Sequence, residues 1–151
     1  MQEFEKSKTI NAEAGRVFDY LSDLNNLPEY LPTMRHAEYI ESDRIRVVGE
    51  AAGKPYDETG FFHVDKQQRW MEWGSDGESG YRGWLEVKEA GGASNVTVHL
   101  SFDPQSSAFQ EMDKNTGDRT LIINEGIENT LQSIKNLCEG RGGKVESAKH
   151  K

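Results

Sequence analysis

"VFDYLSDLNNLPEYLP", residues 17–32, is the stretch on which the fold turns. It opens as an amphipathic helix, with Val17, Phe18 and Leu21 falling about one turn apart. It breaks at Asn25-Asn26, restarts with Pro28 near the head of a second short piece, and stops at Leu31-Pro32. Two short apolar helical pieces lying between strands are expected to close one side of a strongly curved sheet around an interior space. Upstream, "FEKSKTI" alternates from Phe4 to Ile10 and reads as the first strand. Asn11 is expected to cap the following helix, and Glu13 to suit the dipole of its first turn.

Downstream the signal changes to strands, from about Met34 to Phe102. "MRHAEYIES" and "RIRVVGEA" meet at a tight Ser42-Asp43 turn, "KPYDETGFFHVD" and "RWMEWGS" flank "KQQ", and "GYRGWLEVKE" and "SNVTVHLSF" flank "AGGA". Short turns between consecutive strands predict an antiparallel meander. Gly83/Leu85/Val87 and Val96/Val98/Leu100/Phe102 alternate cleanly, which predicts one dry and one wet face. In residues 56–64 both Tyr56/Glu58/Phe62/Val64 and Phe61/His63 hold apolar groups, so the inward face there stays open. A polar stretch follows Asp103-Pro104. Helical spacing then returns in "DRTLIINEGIENTLQSIKNLCEG", predicting a helix over about 118–140 that docks its apolar stripe on the dry face.

A chain of 151 residues fits one domain with a core of its own. Its hydrophobic content of 34% and mean hydropathy of -0.80 predict that the core is small or partly open. The last twelve residues hold four of the 18 basic side chains and one of the 26 acidic ones, leaving residues 1–139 at a net -11. Such a surface repels phosphate backbones, so no nucleic-acid partner is expected. Residues 141–151 read as a disordered basic tail beyond a domain at 1–140. A single cysteine, Cys138, allows no internal disulfide. With no apolar run near membrane-span length and no signal-peptide core, the expected location is cytoplasmic.

Four segments carry a resemblance: "INAEAGRVFDYLSDLNNLPEYLP", "RWMEWGSD", "YRGWLEVKEAGGASNVTVHLSFDP" and "IENTLQSIKNLCEG". Over residues 2–140 the chain resembles the START/Bet v 1-like superfamily, in its polyketide cyclase/dehydrase-like (SRPBCC) branch. The resemblance implies an α+β helix-grip fold. About seven antiparallel strands would curve around a long C-terminal helix, with two short helices after strand 1 and a cavity inside. Members of that superfamily bind sterols, lipids, quinones, polyketides or plant hormones, and some catalyse reactions.

If Val98 and Leu100 face such a cavity, alternation brings Val47, Phe62, Met71, Trp73, Gly83 and Leu85 to it as well. Ile127, Leu131 and Ile134 face them from the helix, and Tyr30 and Met34 fall near the mouth. Each of these residues reads equally well as core. Glu58, on the Phe62/Val64 face, is a candidate acid/base because burial would raise its pKa. Tyr56 and His36 are weaker candidates. His99 alternates with Val98 and Leu100 and is expected to face solvent. No histidine lies at a metal-ligand spacing, so neither metal nor cofactor is expected. The leading expectation is a binder of a small hydrophobic molecule (lipid, quinone or polyketide-like), supported also by three tryptophans between residues 70 and 84. A cyclase/dehydratase, or a partner-binding module like the Hsp90-activator relatives, are the alternatives.

Overall fold

The computed structural model describes residues 2–31, 34–51, 54–76, 81–103 and 119–140. The elements run β1 (Gln2–Ile10), α1 (Ala14–Leu21), a 3-10 turn (Leu24–Asn26), α2 (Leu27–Tyr30), β2 (Met34–Glu41) and β3 (Arg44–Ala51). They continue with β4 (Lys54–Asp65), β5 (Trp70–Ser75), β6 (Arg82–Ala90), β7 (Ala93–Phe102) and α3 (Arg119–Glu139). Seven antiparallel strands form one curved sheet in the order β1-β7-β6-β5-β4-β3-β2. This is the expected helix-grip, and α3 falls within a residue of its predicted ends.

The turns follow their sequences. Gly91 and Gly92 both take positive φ, 58° and 90°, as the two-residue turn joining β6 to β7 requires. The break at Asn25-Asn26 is built by hydrogen bonds. The Asp23 carboxylate accepts from the Asn25 amide at 3.0 Å, and the Asn26 side chain donates to the Tyr20 carbonyl at 2.9 Å. Val17, Phe18, Leu21, Leu24 and Leu27 are all buried, so both helical pieces turn their apolar sides into the grip. α2 packs on both α3 and β2, closing the space between helix and sheet.

Asn11 does not cap α1. The helix begins at Ala14 with Glu13 in the cap position and no side-chain cap. Asn11 is two residues too early for the cap position, and its backbone N–H instead donates to Glu139 Oε2 at 2.7 Å. That bond helps fasten the end of α3, as does the Arg16 guanidinium donating to the Cys138 carbonyl at 3.0 Å. Lys8 meets Glu128 at 2.8 Å along the β1 side of the same helix. Partly exposed pairs of this kind contribute little. The docking of α3 comes mainly from Ile123, Ile127, Leu131, Ile134 and Cys138, all buried, at about 1.5–3 kcal/mol for each fully buried aliphatic side chain. No helix among the described residues is long and apolar enough to cross a membrane. The expected basic tail at 141–151 and the polar stretch before α3 lie outside the described residues.

Candidate functional site

Cross-strand partners share a face of the sheet, so the register gives the concave face row by row. One row runs Lys6, Val98, Leu85, Met71, Val64, and the next runs Phe4, Leu100, Gly83, Trp73, Phe62. Ile45 and Gly60 face each other nearer the β2 edge, followed by Val47 opposite Glu58 and Gly49 opposite Tyr56. The predicted inward set therefore does share one face. Its members differ in depth. Phe62, Met71, Leu85 and Val98 are buried, as are Ile127, Leu131 and Ile134 of α3. Met34, Val47, Trp73 and Leu100 are only partly buried and pack against that core from its margin.

Tyr30 is not at a mouth. It is fully buried, and its hydroxyl donates to the Leu21 carbonyl at 2.7 Å, tying α2 to the end of α1. Burial pushes its phenol well above the usual range. His36, a weak acid/base candidate, lies on the outer face. A register shift lies between Met34 and His36, so two-residue alternation fails there. Ala37 takes the inward place, and His36 is exposed with Nε2 at 3.2 Å from Glu38.

Glu58 does lie on the Tyr56/Phe62/Val64 face, opposite Val47. It is exposed, however, so the burial that would suit it to acid/base work is missing. It accepts a hydrogen bond from Ser75 Oγ at 2.7 Å. Tyr56, half-buried, shares the same end of the sheet.

Around Trp73 the structure assembles a group that sequence reasoning left out. Trp73 Nε1 donates to the Tyr81 hydroxyl at 2.9 Å. Tyr81 stacks on Phe102 with centroids 4.9 Å apart, and Phe102 meets Phe4 edge-on at 6.4 Å. Burial pushes the Tyr81 phenol up to about 12, against the opposing hydrogen bond from Trp73. Gly83 permits this arrangement, because a Cβ there would stand 2.7 Å from the Trp73 ring. The signal was available: Tyr81 continues the 83/85/87 alternation inward, although "GSDGESGYRG" reads as loop.

Trp70 and Trp84 face the other way. They stack at 4.5 Å on the convex face, and Trp84 stacks in turn on His99 at 5.0 Å. His99 is outward as expected but only 18% exposed in its side chain, held at 2.8 Å by both Glu3 and Glu5. A shallow depression beside this row is bordered by Phe61, Arg82, Trp84 and His99, and also by Trp73 and Gly83. Only one of the three tryptophans thus belongs to the concave face. Among the described residues no three His, Cys, Asp or Glu side chains converge as a metal site.

The sequence matches, over residues 1–139, the family described as polyketide cyclase / dehydrase and lipid transport. No curated protein matches the chain. Among solved structures it is similar to TTHA0849 from Thermus thermophilus, with a TM-score of 0.74 and 20% identity over 92% of this chain and 98% of that one. The Zhui aromatase/cyclase from a Streptomyces species gives a TM-score of 0.73 at 14% identity, covering 93% and 94% of the two chains. A START superfamily protein from Mycobacterium smegmatis gives 0.68 at 14% identity, covering 93% and 99%. At these identities the likeness is one of fold.

Proposed function

The chain belongs to the polyketide cyclase / dehydrase and lipid transport family, and on that premise we propose that it binds a small hydrophobic molecule on the concave face, without catalysing its conversion. The observation that carries this reading is the margin of the core. Met34, Val47, Val64, Trp73, Leu100 and Phe102 are apolar, inward-facing and only partly buried. Apolar surface left half-covered inside a grip gains by taking up an apolar guest. Acid/base candidates support the enzymatic alternative less well, since His36 points outward and Glu58 is exposed.

Trp73 provides the test, being the one tryptophan on that face. Titration with an apolar probe such as 1-aminoanthracene is expected to change tryptophan emission. Trp73→Phe should remove most of the change, whereas the Trp70→Phe/Trp84→Phe double variant should keep it. Binding should be insensitive to salt, because burial of apolar surface is not screened. A response carried by Trp70 and Trp84 would put the probe on the convex face and overturn the reading. Glu58→Gln separates the binder from the enzyme. The variant should bind within a few-fold of the parent. If the parent turns over a polyketide-like ketone and the variant loses about 10²–10⁴ in rate, the cyclase reading replaces this one.

A further inference from the structure

Gly83 lies on the concave face between two large neighbours, Leu100 opposite it on β7 and Trp73 opposite it on β5. A Cβ built on Gly83 would stand 2.7 Å from Trp73 Cε2, 2.7 Å from Cζ2 and 2.8 Å from Nε1. Those distances are nearly equal, although Cε2 is the inner, ring-fusion atom of the three. A ring meeting the glycine edge-on would hold Cε2 well behind the other two. The glycine is therefore beneath the face of the indole. Strand side chains ordinarily stand away from their sheet, whereas Trp73 lies flat along it, across β6.

Two neighbours hold the ring in that plane. The absent side chain of Gly83 gives it the space, and the Tyr81 hydroxyl accepts from Nε1 at 2.9 Å. Tyr81 is itself braced by its stack on Phe102. One face of the indole is thus covered by the backbone of β6, and the other is turned away from the sheet, into the grip. Trp73 is only partly buried there, and no aromatic ring among the described residues stacks on it. Trp84 is the contrast, with Trp70 stacked on it at 4.5 Å and His99 at 5.0 Å.

We infer that the inward face of Trp73 is the surface on which the bound molecule lies, and that it selects planar, fused-ring molecules over puckered or flexible ones. This rests on the binding reading above and narrows its ligand class. An aromatic ring laid on an indole gains more than its burial, because the two quadrupoles attract in an offset stack. A saturated ring or an acyl chain is left with burial alone. Gly83 and Tyr81 are positioning residues, since they act by fixing the plane of Trp73.

Phenanthrene and perhydrophenanthrene test this, sharing one carbon skeleton that is flat in the first and puckered in the second. Equilibrium dialysis gives both affinities, each referred to the compound's own partition between water and hexadecane. The parent should favour phenanthrene about 2–12-fold, the effect of one aromatic pair beyond its burial. Trp73→Leu should erase that preference, and so should Gly83→Ala, which forces the ring off the sheet. Tyr81→Phe keeps the stack on Phe102 and loses the hydrogen bond, so its preference should fall between those of parent and Trp73→Leu. An undiminished preference in Trp73→Leu would overturn the role of the indole and leave the binding reading standing. Loss of both hydrocarbons in parallel by that variant would show that the indole supplies area without selection, and would overturn the inference too. A parent that binds both without preference would do the same. Failure of either hydrocarbon to bind the parent would overturn the binding reading, and this inference with it.

Discussion

Leu131→Asp is expected to leave the chain unfolded, or nearly so, in the absence of denaturant. Leu131 has no exposed surface and sits at the middle of the α3 stripe that fills the grip. Truncation alone at such a position costs about 2–5 kcal/mol. A carboxylate there must also be desolvated or protonated, with no cation on the same stripe to meet it. The sum is comparable with the whole stability of a typical domain, about 5–15 kcal/mol. Leu121→Asp is the internal comparison, because Leu121 belongs to the same helix but is 63% exposed. That variant should stay within about 0.5 kcal/mol of the parent. Urea unfolding followed by far-UV circular dichroism reads both. Coincident midpoints for Leu131→Asp and the parent would mean that α3 does not dock through this stripe.

Gly60→Ala carries the second large effect, from a single methyl group. Gly60 is buried on β4, and a Cβ there would stand 1.9 Å from the Gly74 carbonyl oxygen. The obstacle is backbone of the paired strand β5, which cannot turn aside as a side chain can. The two strands must separate or the sheet must flatten, at a cost of about 3 kcal/mol or more. Gly126→Ala is the contrasting case. With no atom of the described residues within 4 Å of an added Cβ, it should raise stability by up to about 1 kcal/mol. Urea midpoints moving in opposite directions for the two alanines would bear out both placements. A neutral Gly60→Ala would mean that β4 and β5 do not approach so closely there.

Much of the fold was legible because its signals are local and repeated. β6 and β7 alternate over most of their length, and α3 holds one stripe from Ile123 to Cys138. The Asn25-Asn26 break, with Pro28 at the head of the second piece and Pro32 beyond its end, predicted two short helices rather than one. Face assignment was harder wherever both faces carry aromatic groups. Phe61 points outward although apolar, because Gly74 beside it leaves room for the ring and Arg82 lies over it at 5.3 Å. Trp70 and Trp84 are outward for a related reason, since each covers the other. Their presence in the sequence argued for an aromatic cavity that only Trp73 joins. The face of His36 could not be read by alternation from Met34, because a one-residue shift in pairing inverts the side chains beyond it, and composition does not reveal a bulge.

The pairing of β1 with β7 has a consequence for how the chain is made. Gln2 lies opposite Phe102 and Ile10 opposite Ser94, so β1 leaves the ribosome well before β7 and must wait for it. At about 5–20 residues per second, that wait lasts on the order of 5–20 s. Throughout it, β1 offers an unpaired edge to any neighbouring nascent chain. Its own charges meet that hazard. Glu3, Glu5, Lys6 and Lys8 are spread along the strand between its apolar residues, and charges of this kind on an open edge discourage pairing with strangers. Refolding from denaturant, where all 151 residues are present from the start, should still be slow, in the millisecond-to-second range of proteins dominated by distant contacts.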